Sequence, residues 1–152
     1  AGVPEDVPKP PVGPELWKPG RFYHPLGQAD VVMNCTPLTK ATRGMFNLEA
    51  FRHMQRHAYL INVTRGPIVD EAGLLQALRD GLIAGTGLDV TPTEPLPAGH
   101  PLWDMPNVII TPHASGGSPL RLDRWVDLSC ENLRRYLDGR PLLGVIDKEK
   151  GY

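Results

Sequence analysis

Residues 58–81, AYLINVTRGPIVDEAGLLQALRDG, join a strand pattern directly to a helix pattern. The run AYLINV is apolar, as in a buried strand, and Asp70 and Gly81 are placed to cap and to end a helix between them. Asn47 can cap a further helix pattern, NLEAFRHM. Other strand patterns occur at residues 29–35 (ADVVMNC, typical of a strand covered on both faces), 85–90 (GTGLDV) and 107–112 (NVIITP). This alternation predicts an α/β fold with a parallel sheet built by right-handed crossovers.

The chain changes character at both ends of this alternating region, which occupies residues 29–117. Proline is crowded into residues 1–28, which predicts an irregular lead-in. Residues 118–152 predict a long C-terminal helix followed by a tail, with Pro119 in the first turn of the helix and Gly139 at its end. The helix carries an apolar stripe, and we expect that stripe to pack on another surface.

Composition and charge exclude several classes of function. The 152 residues are enough for a domain with a hydrophobic core, and the formal net charge of -1 gives no electrostatic basis for binding nucleic acid or an anionic membrane. No apolar run approaches the roughly 20 residues that span a bilayer, so we expect a cytoplasmic protein without nucleic-acid or membrane partners. Cys35 and Cys130 lack CxxC spacing, so we expect two buried thiols and no metal site.

Three chemically active side chains follow the ends of predicted strands: Arg65, Glu94 and His113. Because the carboxyl ends of parallel strands lie along one edge of a sheet, these residues can converge there. A guanidinium binds a carboxylate through two parallel hydrogen bonds, a histidine exchanges protons near neutral pH, and a neighbouring carboxylate favours its protonated form. These groups suit the protonation of a ketone oxygen while a hydride reaches the carbon.

Each of the three residues also has a simpler interpretation. Arg65 could pair with Asp70 on the surface, Glu94 could be a solvated loop residue, and the ring of His113 could cap a loop. Asp89 is harder to explain in that way, because it lies near the end of an apolar strand, where a buried carboxylate is costly without a partner.

Four segments together resemble the D-isomer-specific 2-hydroxyacid dehydrogenases. They are residues 29–46 (ADVVMNCTPLTKATRGMF), 61–78 (INVTRGPIVDEAGLLQAL), 84–97 (AGTGLDVTPTEPLP) and 107–117 (NVIITPHASGG). The resemblance implies a Rossmann-like NAD-binding domain over residues 29–117, and a helix and tail over residues 118–152 that pack on a substrate domain. It also implies an enzyme that uses NAD or NADP to interconvert a small 2-keto acid and a D-2-hydroxy acid.

The same resemblance implies a role for individual residues. Arg65 would bind the substrate carboxylate, His113 would be the acid and base, and Glu94 would pair with His113. Asp89 would contact the nicotinamide carboxamide. Further cofactor contacts would come from Cys35, Thr36, Pro37, Val63, Thr64 and Gly116.

One motif of such a fold is absent from the sequence, namely a GxGxxG loop to cradle the cofactor pyrophosphate. In the family that loop and most of the substrate domain would lie upstream of Ala1. We therefore expect the C-terminal half of a doubly wound domain, without its first βαβ half and inactive on its own. The parent enzyme would be a homodimer or would include a separate N-terminal piece. A dinucleotide-sensing binding module of the same fold is the alternative.

Loss of that half would leave two apolar surfaces without partners. The strand at residues 29–35 would form an open edge of the sheet, and the C-terminal helix would lack the domain on which it packs. We therefore expect the chain alone to be unstable, self-associated or bound to an N-terminal piece.

Overall fold

The computed structural model of the protein describes residues 19–149. Within that range its helices are α1 (Tyr23–Leu26), α2 (Leu48–His53), α3 (Glu71–Arg79) and α4 (Arg121–Leu137), and its strands are β1 (Val31–Asn34), β2 (Tyr59–Asn62), β3 (Gly85–Leu88) and β4 (Val108–Ile110). Short 3₁₀ turns occur at Pro19–Arg21, Gly66–Ile68 and Pro101–Trp103. The strands form one parallel sheet in the order β1-β2-β3-β4, so the predicted Rossmann-like α/β fold is confirmed.

The helix ends follow the capping residues of the sequence. The side chain of Asn47 accepts a hydrogen bond from the Ala50 N–H at 3.0 Å, and that of Asp70 accepts one from the Gly73 N–H at 3.1 Å. These bonds satisfy N–H groups that the first turn of a helix leaves without partners. Gly81 follows α3 with φ of +61°, a left-handed conformation that glycine adopts without strain. The predicted caps and the glycine stop are confirmed.

The hydrophobic core lies on one face of the sheet. Leu60 of β2 and Leu88 of β3 are buried in one cluster with Phe51 of α2 and Leu74 of α3. Alternate side chains of a strand point to opposite faces, and on the other face Val31, Met33, Tyr59 and Ile109 are exposed. The expectation that residues 29–35 are covered on both faces is therefore wrong within the described structure, where α2 and α3 contribute to only one packed layer.

Both cysteines are also exposed, which corrects the expectation of two buried thiols. Cys35 directly follows β1, and Cys130 lies on α4, a helix in which no residue is buried. The physical reason is the same as for the open face of the sheet: nothing among residues 19–149 packs over these positions.

The predicted long C-terminal helix is present as α4. Its N-cap is Leu120, so Pro119 precedes the helix and does not lie in its first turn, and Gly139 follows the helix with φ of +64°. The apolar stripe is exposed along its whole length and comprises Leu122, Trp125, Val126, Leu133, Tyr136 and Leu137. No helix between residues 19 and 149 is both long and apolar enough to cross a membrane.

Of the predicted irregular lead-in, residues 1–18 lie outside the residues that the structure describes. Residues 19–26 are helical turns, where the prolines predict irregular chain. Proline is tolerated in so short a helix, because the first-turn N–H groups have no partner within the helix in any case. Phe22 makes an edge contact with Phe46 at 5.3 Å between ring centroids, and Tyr23 stacks on His53 at 4.5 Å. The segment therefore packs against the domain.

A close backbone contact joins the turn after β2 to the loop after β3. A Cβ atom on Gly66 would overlap the carbonyl group of Thr91 and the nitrogen of Pro92. Glycine is therefore the residue that allows the two chain segments to touch. The contact brings the turn of Arg65 beside the loop that carries Glu94.

We expect Gly66→Ala to lower the free energy of unfolding by about 1–3 kcal/mol, because backbone atoms would have to move apart. Gly20→Ala is the matched control, since a Cβ at Gly20 would meet no atom of residues 19–149 within 4 Å. The difference in the free energy of unfolding is measured by urea denaturation of the whole protein that the gene encodes. Equal unfolding midpoints for the two variants would contradict the close contact of Gly66 with Thr91 and Pro92.

Candidate active site

The structure brings Glu94 and His113 into direct contact at the carboxyl edge of the sheet. Nδ1 of His113 lies 2.7 Å from Oε2 of Glu94. An ionised carboxylate can only accept hydrogen bonds, so Nδ1 carries the hydrogen of this contact. This assignment leaves Nε2 as the ring nitrogen that can meet a substrate, and no residue in the range 19–149 provides Nε2 with a hydrogen-bond partner.

The carboxylate of Glu94 is oriented from both sides. Its Oε1 accepts the backbone N–H of Thr91 at 3.0 Å, while Oε2 faces His113. The hydrogen bond from His113 is the main cause that lowers the pKa of Glu94 below its usual range; burial opposes this effect, and the Thr91 N–H and the charges of His113 and Arg65 add to it. Glu94 is therefore ionised at neutral pH and can stabilise a protonated imidazole. It is not merely a solvated loop residue.

Arg65 is exposed and follows β2. One of its N–H groups, on Nη1, donates to the carbonyl of Thr64 at 2.7 Å. The carboxylate of Asp70 caps α3 instead of pairing with Arg65, and Arg65 forms no ion pair within the part of the chain that the structure describes. The remaining guanidinium N–H groups are therefore available to a ligand.

Arg65 and His113 line one open cavity of about 530 Å³. The other residues that line it are Val63, Ala114, Ser115, Gly116, Gly117 and Arg121. A neighbouring cavity of about 320 Å³ reaches His113 from the side of Glu94 and Asp89. His113 thus shares one cavity with the guanidinium of Arg65 and the neighbouring cavity with the carboxylates of Glu94 and Asp89. The strand-end pattern predicts this convergence for Arg65 and Glu94.

The buried charge of Asp89 is stabilised by three hydrogen bonds. Its Oδ1 accepts the hydroxyl of Thr111 and the N–H of Ala114, the latter at 2.9 Å, and its Oδ2 accepts the N–H of Ser115 at 2.8 Å. Burial alone would raise the pKa of Asp89, but the hydrogen bonds from Ser115, Thr111 and Ala114 outweigh it and hold the pKa well below the usual range. The ionised carboxylate therefore ties the end of β3 to the chain around His113.

These hydrogen bonds hold a backbone conformation that residues other than glycine rarely adopt. His113 has φ of +52°, in the left-handed region. Its N–H donates to the carbonyl of Thr111 at 3.0 Å, and Asp89 holds the next two N–H groups. Strain of this kind persists only where surrounding bonds over-determine it, and it occurs most often at functional sites.

The predicted cofactor residues are divided between two places. Val63 and Gly116 line the larger cavity, and a Cβ on Gly116 would meet no atom of the described residues within 4 Å. Cys35, Thr36, Pro37 and Thr64 do not line that cavity. Their loops are joined through buried Asn34, whose side chain donates to Thr64 Oγ1 at 3.0 Å and accepts the Thr36 N–H at 3.1 Å.

The strand-end pattern did not point to Thr111, Ser115 or Thr91, which hold the site residues in place. The available signal was weak: Thr111 and Ser115 are small hydroxyl residues on either side of His113. Such residues are common in loops, and their partners are distant in sequence. Among residues 19–149 no group of three or more His, Cys, Asp or Glu side chains could hold a metal ion.

The fold and this edge of charged and polar side chains define an NAD-binding domain of the dehydrogenase type. The family model "D-isomer specific 2-hydroxyacid dehydrogenase, NAD binding domain" matches residues 17–115. The chain therefore belongs to the D-isomer-specific 2-hydroxyacid dehydrogenase family, as the four sequence segments predicted.

Individual relatives agree with the family model. The chain is 41% identical over 124 residues to a glyoxylate reductase from Thermofilum pendens, across 82% of this chain and 37% of that protein. It superposes with a TM-score of 0.82 and 43% identity on a D-isomer specific 2-hydroxyacid dehydrogenase from Xanthobacter autotrophicus Py2 in complex with NADPH and MES, across 88% of this chain and 43% of that one.

A second structure, an NADPH-dependent glyoxylate/hydroxypyruvate reductase from Sinorhizobium meliloti in complex with NADP and sulfate, gives a TM-score of 0.82 at 35% identity. That match covers 90% of this chain and 44% of the other. The chain therefore spans less than half the length of each of these relatives.

We expect Asp89→Asn to lower the free energy of unfolding by about 1–3 kcal/mol at pH 7, because the amide turns one N–H group toward backbone N–H donors. The pKa of Asp89 is lower in the folded state than in the unfolded chain, so its stabilisation is complete above about pH 4 and is lost as the pH falls through the folded value.

The gap between the wild type and Asp89→Asn should therefore shrink between about pH 4 and pH 2. Urea denaturation at several pH values measures it, and Asp104→Asn, which changes an exposed aspartate outside the site, is the control. A gap that stayed constant down to pH 2 would disprove the charged role of Asp89.

Proposed function

We propose that the protein is an oxidoreductase that uses NAD or NADP to interconvert a 2-keto acid and a D-2-hydroxy acid. The observation that supports this proposal best is the 2.7 Å contact between His113 and Glu94 beside a cavity that His113 shares with Arg65. A proton donor and a carboxylate-binding group on one cavity match a substrate whose ketone lies next to a carboxylate. The substrates named for the relatives are glyoxylate and hydroxypyruvate, and pyruvate is a third small 2-keto acid of the same class to test.

In this proposal Arg65 orients the substrate. Its free guanidinium N–H groups bind the carboxylate through two parallel hydrogen bonds and polarise the adjacent carbonyl. Because Arg65 is exposed at the turn after β2, it reaches the ligand from the cavity wall and does not have to be released from an ion pair. The substrate is then held with its ketone towards the imidazole.

His113 moves the proton. In reduction Nε2 donates a proton to the carbonyl oxygen, which becomes the hydroxyl of the product. In oxidation Nε2 takes that proton back. Glu94 remains ionised and stabilises the imidazolium through Nδ1. A reduced nicotinamide, when bound, supplies the hydride for the carbonyl carbon.

The residues present fit such a cofactor. Oδ2 of Asp89 accepts one backbone N–H, so an acceptor position remains for the N–H of a carboxamide. The space beside Gly116 is open, and Val63 lies on the same cavity. The remaining contacts would come from the loops after β1 and β2, through Cys35, Thr36, Pro37 and Thr64. Assembly as a homodimer, or with a separate N-terminal piece, belongs to this proposal.

We expect His113→Gln to lower kcat by about 10²–10⁴-fold, because glutamine cannot donate the proton. His57→Gln is a matched control: Nε2 of His57 also lies 2.7 Å from a carboxylate, that of Asp30, but both residues lie at the opposite edge of the sheet. The rates are measured as the oxidation of NADH and NADPH in the presence of each of the three keto acids. The assay uses the whole protein that the gene encodes.

The controls separate the outcomes of this test. Full activity in the His113 variant would remove histidine from the proposed mechanism. If the wild type binds the dinucleotide but turns over none of the keto acids, the alternative of a sensing module is favoured.

We expect Glu94→Gln to lower the rate of reduction at pH 7 by about tenfold and to move the pH–rate profile towards lower pH. The physical reason is that a neutral amide no longer stabilises the protonated form of His113. Steady-state rates between pH 5 and pH 9 would show the shift. A profile identical to that of the wild type would mean that the contact between the two side chains has no part in proton transfer.

A further inference from the structure

One side chain joins the two loops that carry Arg65 and His113. The hydroxyl of Ser115 donates to the carbonyl of Val63 at 3.0 Å. Ser115 is two residues after His113, and Val63 is two residues before Arg65. The bond therefore connects the chain after β4 to the chain after β2 close to both reacting groups.

The sheet connects these two loops only indirectly, through β3. β3 lies between β2 and β4, so no strand pairing joins the ends of β2 and β4 directly. Among the hydrogen bonds of residues 19–149, the bond from Ser115 to Val63 alone links the segment 63–65 to the segment 111–117. The N–H of Ser115 is held by Asp89 at 2.8 Å, so the hydroxyl starts from a fixed backbone.

We propose that Ser115 is a positioning residue that sets the separation between the guanidinium of Arg65 and the imidazole of His113. This inference rests on the proposed function, in which Arg65 holds the carboxylate and His113 protonates the ketone of one substrate. Proton transfer needs the donor within hydrogen-bond reach of the oxygen, and small displacements lower the rate steeply. Because His113 already has a left-handed backbone, its loop depends on such ties.

The test compares Ser115→Ala with Ser115→Thr, which keeps the hydroxyl, and with Ser118→Ala. Ser118 lies in the same loop, but its side chain only accepts a local hydrogen bond from the Leu120 N–H. For Ser115→Ala we expect kcat for keto-acid reduction to fall about three- to tenfold while KM stays within about twofold. Ser115→Thr and Ser118→Ala should retain the wild-type kcat. Ser115 is exposed, so we expect the alanine variant to remain folded, which its circular dichroism spectrum would show.

A double mutant separates positioning from a general effect. In a His113→Gln background Ser115→Ala should cause no further loss of kcat, because the group that it positions is absent. An unchanged kcat in Ser115→Ala, or an equal loss in both backgrounds, would overturn the inference. If His113→Gln alone leaves the activity intact, the proposed function fails instead, and the two failures are thus distinguishable.

Discussion

The carboxylate of Asp89 is the interaction on which the geometry of this site depends. It is buried at the end of β3, and it accepts hydrogen bonds from Thr111, Ala114 and Ser115. A buried charge is costly unless it is fully hydrogen-bonded, so these three residues cannot move away without a large penalty. His113 lies between them and takes its left-handed backbone and its direction from that constraint.

Two carboxylates near one histidine have different environments and different tasks. Asp89 is buried and faces backbone N–H groups and a hydroxyl, so its charge organises the chain. Glu94 is more exposed and faces the ring of His113, so its charge can respond to the proton on the imidazole. The contact between Gly66 and Thr91 then brings Arg65 beside this pair. One edge of a small parallel sheet thus carries a buried carboxylate held by the backbone and a more exposed carboxylate in contact with a histidine.

The elements that depend on local sequence were predictable. Asn47 and Asp70 cap helices because a short polar side chain satisfies N–H groups three residues on, and the four strands follow from apolar runs bounded by turn residues. Burial was less predictable. Val31 and Met33 look like core residues in sequence but are exposed on the open face of the sheet, and Cys35 and Cys130 are exposed as well. An apolar run indicates that a strand can be covered, but it does not indicate what lies over it.

The sequence by itself determined the strand and helix alternation, the family, and the placement of Arg65, Glu94 and His113 after strand ends, because periodicity, capping and motifs act over short stretches of chain. Only the tertiary structure decided which of these groups meet. Glu94 reaches His113 across 19 positions, Asp89 reaches Ser115 across 26, and Ser115 reaches Val63 across 52. Contacts over such separations exist only after the strands have paired, since the pairing sets which loops share an edge.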